Sequence, residues 1–225
     1  MSKPKLKISD LKEQAKLFCV KETEFKNPDL FGITDGKAVG TYIEHKFQEF
    51  LKANYVIEIG SSAKGIDLPS AEINTDIKVT SIKQHQSSCP FKDAKQKIFG
   101  LGYNLLIFVY DKIDDTKTKT TKLNFVSCAF IEAERTADYT TTYRLREMLK
   151  DGANEEDITA YLTDRNIPAD EITLLEISRQ IIGNPPKQGY LTISNALQWR
   201  LQYGRVVNLE KKVIGINKII DKITD

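Results

Sequence analysis

Eight tripeptides in this chain set an acid two residues before a lysine, beginning at Asp10, Glu24, Asp35, Glu44, Asp76, Asp93, Asp115 and Glu210. A carboxylate can hold a divalent cation, and a nearby ammonium can offset the charge that builds on a phosphate under attack. Both groups must reach one point. In a helix, residues two apart project roughly 200° from each other, which disfavours the pairs at Asp10, Glu44, Asp93 and Glu210. Those at Glu24, Asp35 and Asp115 fall in loop-like sequence. Asp76 and Lys78 stand in an alternating run: Ile73, Thr75, Ile77 and Val79 face one side of a strand, and Asn74, Asp76, Lys78 and Thr80 the other. Asp67 precedes Asp76 by nine residues, across a turn that starts at Pro69-Ser70. Two carboxylates joined by such a hairpin repel unless a cation lies between them. The chemistry expected is metal-dependent cleavage of a phosphodiester. Solvated charges on a half-exposed strand are the plainer reading of the same letters.

The elements that would carry these residues follow from periodicity. Residues 8–27 hold a weak helical pattern, and Val39, Ile43, Phe47, Phe50 and Leu51 recur at helical spacing over Lys37–Ala53. Tyr55–Ile59, Ile66–Leu68 and Ile73–Ser81 read as three strands. Gly60 and Gly65 bracket the approach to the second, as where backbone comes close to a ligand or simply loops. After a loop at Gln84–Pro90, Phe91–Leu101 reads as a helix and Leu105–Tyr110 as a strand buried on both faces. Asp111–Thr121 reads as an exposed loop and Leu123–Ile131 as the last strand. Strand 73–81, helix 91–101 and strand 105–110 have the form of a right-handed βαβ crossover. The fold class is α/β, a mixed sheet flanked by helices. Beyond residue 134 the chain reads as mostly helical, at 141–149, 155–163, 170–181, 193–203 and 209–223, broken at Gly183-Asn184-Pro185-Pro186. The expected organisation is a core over 1–134 and a helical region over 135–225, for DNA recognition or dimerisation, which could form one continuous domain.

Composition narrows the class. The net charge is only +2, so a nucleic-acid surface must be a local patch. Cysteines at 19, 89 and 128 form no CxxC pair, which argues for a reducing, cytoplasmic setting and against a zinc site. The longest apolar run, Leu105–Tyr110, cannot span a bilayer, so no membrane partner is expected.

Asp67, Asp76 and Lys78, as Asp…Asp-x-Lys within a helix–three strands–helix–strand core over roughly residues 37–131, resemble the PD-(D/E)xK nuclease superfamily, in particular its type II restriction endonucleases. Ile66, not proline, precedes the first aspartate, and the second acid is Asp. The resemblance implies that Asp67, Asp76 and the main-chain carbonyl of Ile77 hold Mg2+, whose preference for oxygen ligands suits this set. Lys78 would orient or help deprotonate the attacking water and offset charge in the transition state. Family members often add a helical glutamate. Glu44, at the edge of its helix's apolar arc, is the matching candidate for holding a water or a second ion, or an ordinary boundary residue. The products implied carry 5′-phosphate and 3′-hydroxyl ends, and no nucleotide cofactor is expected.

Double-stranded DNA is the substrate this implies. Thr80, Ser81, Lys83, Gln84, Gln86, Ser87 and Ser88 follow the catalytic strand and could meet phosphates or base edges, or form an ordinary hydrophilic connection. Lys95, with Lys92 and Lys97, could line a phosphate track or be the solvated face of the next helix. All seven arginines lie beyond residue 134, and Arg144, Arg200 and Arg205 are candidates for DNA contact; the last two, beside Trp199 and Tyr203, form a basic–aromatic cluster or else surface charge beside core aromatics. The late helices could instead form the interface of a homodimer, since cutting both strands symmetrically asks for two sites about a two-fold axis. A structure-specific repair or junction nuclease, and a non-catalytic DNA-binding module, are the competing readings.

Overall fold

Leu11, Ala15, Phe18 and Cys19 fall on one stripe of α1 (Ile8–Glu24), and Val39, Ile43, Phe47 and Leu51 on one stripe of α2 (Gly36–Asn54). Both stripes are buried. Phe18 gathers Phe47, Phe50, Phe108 and Phe125 around it at centroid distances of 5.1 to 5.9 Å, which fastens both helices to the sheet beneath. The structure is a computed structural model that describes residues 3–60, 65–89, 92–194 and 199–223. Ser61, Ser62, Phe91 and the side chain of Trp199 lie outside the described residues.

The main sheet is built from β1 (Lys26–Asn27), β2 (Thr75–Ser81), β4 (Asn104–Asp115), β5 (Thr120–Ile131) and β8 (Ile216–Asp221). Its order is β1–β5–β4–β2, with β8 also paired to β5. β2 runs parallel to β4, from Thr75 opposite Asn104 to Ser81 opposite Tyr110, so the expected crossover is present. Leu106, Phe108 and Tyr110 face α1 and α2, while Leu105, Ile107 and Val109 face a second core with Leu201, Tyr203 and Val206. The continuous apolar run is therefore buried on both sides.

A smaller sheet covers that second face. β3 (Gln86–Cys89), β6 (Thr192–Ile193) and β7 (Trp199–Gln202) lie in the order β3–β7–β6. Helices α4 (Tyr139–Lys150), α5 (Glu155–Asp164) and α6 (Glu171–Gly183) enclose a third core, which takes Ala94 and Ile98 from the crossover. Asp138 joins these parts. Buried at 3% exposure, it caps α4 through the Thr141 N–H at 2.8 Å and accepts from the Ile193 N–H at 2.9 Å.

The α/β class holds, and so do the helices expected at 141–149, 155–163 and 170–181. Several element expectations do not. Tyr55–Ile59 and Ile66–Leu68 form no strands; Val56 and Leu68 each make a single bridge, to Lys5 and Thr75. The crossover helix over 91–101 is one turn, α3 (Gln96–Phe99), because Asp93 accepts from the Lys95 N–H at 2.8 Å and turns the chain just before it. Gln86–Cys89 is a strand rather than a loop. The loop expected over 111–121 is mostly a hairpin extension of β4 and β5, closed by residues 116–119 with Lys119 at φ 54. In place of the helices expected at 193–203 and 209–223, the described residues form β6, β7 and β8, and residues 195–198 lie outside the described residues. In the last segment Gly215, at φ +88, turns the chain so that Ile216–Asp221 lies along β5. β-Branched residues there satisfied a helical spacing and a strand equally well.

Candidate active site

β2 is an edge of the main sheet, and the strand's alternation puts Asp76 and Lys78 on one face. That face is not open to solvent. The side chains of Asp76 and Lys78 are 4% and 18% exposed, and Lys78 Nζ lies 2.7 Å from Asp76 Oδ2. These are not solvated surface charges. Left-handed Asn74 (φ 37) precedes the strand, so the alternation starts at Thr75.

Asp67 arrives on the free edge of β2. Leu68 exchanges two backbone hydrogen bonds of 3.0 Å with Thr75, which fixes the approach. Asp67 Oδ2 then accepts from the Ile77 N–H at 2.7 Å, a donor that the edge would otherwise leave bare. The N–H and C=O of one strand residue point to the same edge, so the Ile77 carbonyl opens on Asp67's side. Asp67 also reaches the carboxyls of Asp76 and of Glu44, the latter projecting from α2, where Gln48 Nε2 donates to it at 3.4 Å. The backbone behind Asp67 is tight: the Gly60 N–H donates to the Asp67 carbonyl at 2.8 Å, and a Cβ on Gly60 would lie 1.8 Å from the Ile66 carbonyl oxygen. Gly60→Ala must therefore displace Asp67. A shift of about 1 Å at a reacting group typically costs about 100-fold in rate, so a fall of that size in DNA cleavage is expected in a steady-state assay, with the melting temperature as control for folding. Cleavage within a few-fold of the parent would separate Asp67 from the chemistry.

Three carboxyl groups thus surround one ammonium. Burial raises the pKa of each acid: that of Glu44, that of Asp67, with Glu44 adding to it, and that of Asp76, which reaches about 7. Burial alone would lower the Lys78 pKa, but the Asp76 carboxylate holds it well above its ordinary value. Buried Asp76 Oδ2 has Lys78 Nζ beside it at 2.7 Å, and Asp67 is the next polar side chain that Asp76 meets. Three clustered carboxyls whose pKa values are raised, sharing a single ammonium, fit a cation. Among the described residues no set of three or more His, Cys, Asp or Glu side chains is arranged around a metal position. What the site offers a hard ion is two aspartates and a main-chain carbonyl, with Glu44 held behind Asp67.

Three of the other acid-x-Lys tripeptides serve the fold. Asp35, Asp93 and Asp115 each accept from the backbone N–H of the lysine two residues on, at 2.9, 2.8 and 2.9 Å, capping a helix or closing a turn. Lys46 points away from Glu44 to Glu22 at 2.8 Å, as helical geometry requires.

A family model described as "Type II restriction enzyme NspV" matches residues 5–218. The chain belongs to the NspV family of type II restriction enzymes. A curated relative, the type II restriction enzyme NspV of Nostoc sp., is 53% identical over 211 residues, covering 94% of this chain and 95% of the relative. No solved structure matches.

The remaining positions singled out in this NspV-family chain are scattered. Thr80 is 5% exposed, and its hydroxyl meets the Gln84 carbonyl and the Gln86 N–H, so it shapes the loop after β2. Ser81 accepts from the Lys83 N–H at 3.2 Å, and Lys83 and Gln84 are exposed. Ser87 faces inward and bonds the Tyr203 hydroxyl, whereas Gln86 and Ser88 face outward. Lys95 is half-buried beside α3. Lys97, expected on a phosphate track, is instead 2% exposed and close to Asp138. Arg144 lines a surface hollow with Asp151, Asp157 and Asp164. Arg205 lies over the Tyr139 ring at 4.0 Å, and Arg200 is exposed on β7. The sequence reading missed Tyr103 and Cys89, which sit 3.7 Å apart behind the site, and placed Tyr203 only as a neighbour of Arg200 and Arg205. Tyr203 is fully buried near Lys78 and Asp76. The clue was its neighbour: Leu201 and Tyr203 alternate with Arg200 and Gln202 as in a strand.

No helix among the described residues is long and apolar enough to cross a membrane.

Proposed function

We propose that this chain is a Mg2+-dependent endonuclease of the PD-(D/E)xK kind that cuts double-stranded DNA at a specific short sequence as a homodimer, without a nucleotide cofactor. The observation that carries the reading is the Asp67 carboxylate seated on the Ile77 N–H, beside the buried Asp76–Lys78 pair. Asp67, Asp76 and the Ile77 carbonyl would hold Mg2+. Bound there, the ion would polarise the scissile phosphate and acidify the attacking water. Lys78 sits on the same strand face as Asp76; its ammonium orients the water and offsets the charge that gathers on the phosphate. Glu44, the outermost of the three acids on Asp67's side, would hold a water or a second ion. Water adds its oxygen to phosphorus, the bond from phosphorus to O3′ breaks, and the departing O3′ takes up a proton. The ends are then a 5′-phosphate and a 3′-hydroxyl.

Family membership speaks for a restriction endonuclease over a junction nuclease or a non-catalytic module. The test is digestion of a phage genome. With Mg2+, discrete fragments are expected whose 5′ ends accept label from a kinase only after phosphatase treatment; with EDTA, none. A smear, or cutting that persists in EDTA, would refute it.

A further inference from the structure

The exposed face of the small sheet belongs to no part of the catalytic machinery. Gln86 stands directly opposite Gln202, and Gln202 opposite Thr192; one step along, Ser88 stands opposite Arg200. Ser88, Arg200 and Gln202 are exposed and Gln86 and Thr192 half-buried, while Leu201, Ile193 and Cys89 take the other face into the second core. No side-chain hydrogen bond or ion pair engages these five residues among the described residues. The face is also free of negative charge. The chain averages about one acid in seven residues, yet stretches 77–92 and 187–209, which supply all three strands, contain none.

We infer that this face reads base edges in the major groove, Gln86 and Gln202 by pairing with adenine and Arg200 by pairing with guanine. The inference rests on the endonuclease reading above and assigns its specificity. A β-ribbon fits the major groove, and the amide and guanidinium forks match the N6/N7 edge of adenine and the O6/N7 edge of guanine. Side chains two residues apart on a strand are about 6.8 Å apart, close to two base-pair steps, so the two rows address neighbouring parts of one site. Register with the chemistry is built in. β3 follows β2 through a loop held by Thr80, and Ser87 bonds Tyr203, which lies beside Lys78 and directly follows Gln202. A base contact on this face is thus one hydrogen bond and one buried ring from the catalytic lysine.

Selection from a random duplex library, with Ca2+ in place of Mg2+, tests this without cleavage and so fails separately from the catalytic reading. The parent is expected to enrich a motif containing both A·T and G·C pairs. Gln202→Ala should relax one or more A·T positions and Arg200→Ala one or more G·C positions, each by about tenfold or more in preference. Both residues are exposed, and unchanged melting temperatures check folding. Enrichment of the parental motif by both variants with undiminished preference would overturn the assignment. So would a uniform loss of affinity for all duplexes, the mark of phosphate contact, or a change in sedimentation, the mark of a subunit interface.

Discussion

Lys78→Ala should bind its recognition duplex as the parent does yet cleave it about 1,000-fold more slowly or worse, the scale of losing one group aimed at developing charge. The geometry singles out this lysine. Its Nζ lies 2.7 Å from Asp76 Oδ2, in a pocket that leaves the lysine side chain 18% exposed. Charge offered there is not diluted by water. Lys46 supplies the control, because it stands in the same acid-x-Lys pattern after Glu44 but pairs with Glu22 and lies over the Phe25 ring. Lys46→Ala should therefore leave cleavage within a few-fold of the parent. Single-turnover rates with saturating protein separate the two effects, and a Lys78→Ala protein that cuts within tenfold of the parent would remove the lysine from the chemistry. Lys78→Arg keeps the charge in a larger, planar group at a crowded position. It should recover part of the rate, which an empty site filled by water could not.

The pair at Asp76 was legible because strand alternation is a local property. Only one of the acid-x-Lys tripeptides sits in a run whose other face is apolar, and a side-chain period of two settles the shared face whatever the tertiary fold. What lay over that face was not local. Tyr203, Cys89 and Tyr103 come from three separate segments, and nothing in the run Thr75–Ser81 shows that its polar side is covered by a second sheet. The strands expected beside it failed for a related reason. Asp67 reaches Ile77 through its side chain, so one bridge at Leu68 suffices and no ladder is needed. The late segments were misread because β6, β7 and β8 are strands of two to six residues, too short for period two to stand out against period 3.6. Helices α4 to α6 escaped that ambiguity through length and caps: Asp138, Asn154 and Asp170 each accept from the backbone N–H three residues on.

Asp67→Asn should abolish cleavage while making the cation-free protein more stable. The amide keeps an oxygen for the Ile77 N–H and removes one of three negative charges facing a single ammonium. Each of these acids has a folded-state pKa above its ordinary value, so the folded chain binds more protons than the unfolded one between about pH 4 and the raised values, which reach about 7 at Asp76. Stability of the cation-free parent accordingly falls as pH rises through that window, and the lost part is the cost of ionising carboxyls beside one another. Removing Asp67's charge shallows that decline. At pH 8 the melting temperature of Asp67→Asn in EDTA should exceed the parent's by roughly 2–4 °C, the equivalent of about 1 kcal/mol in a chain of this size. Added Mg2+ should reverse the order, raising the parent and leaving the variant nearly unmoved, because a ligand stabilises only the state that binds it. Thermal scans at pH 5 and pH 8, each with EDTA or Mg2+, carry the test. A variant less stable than the parent in EDTA at pH 8 would mean that Asp67 is a structural hydrogen-bond acceptor whose charge the fold requires. An equal Mg2+ response in both proteins would place the ion elsewhere. The expected pattern, with activity and cation-free stability moving in opposite directions, is that of a carboxylate cluster kept for the ion it binds.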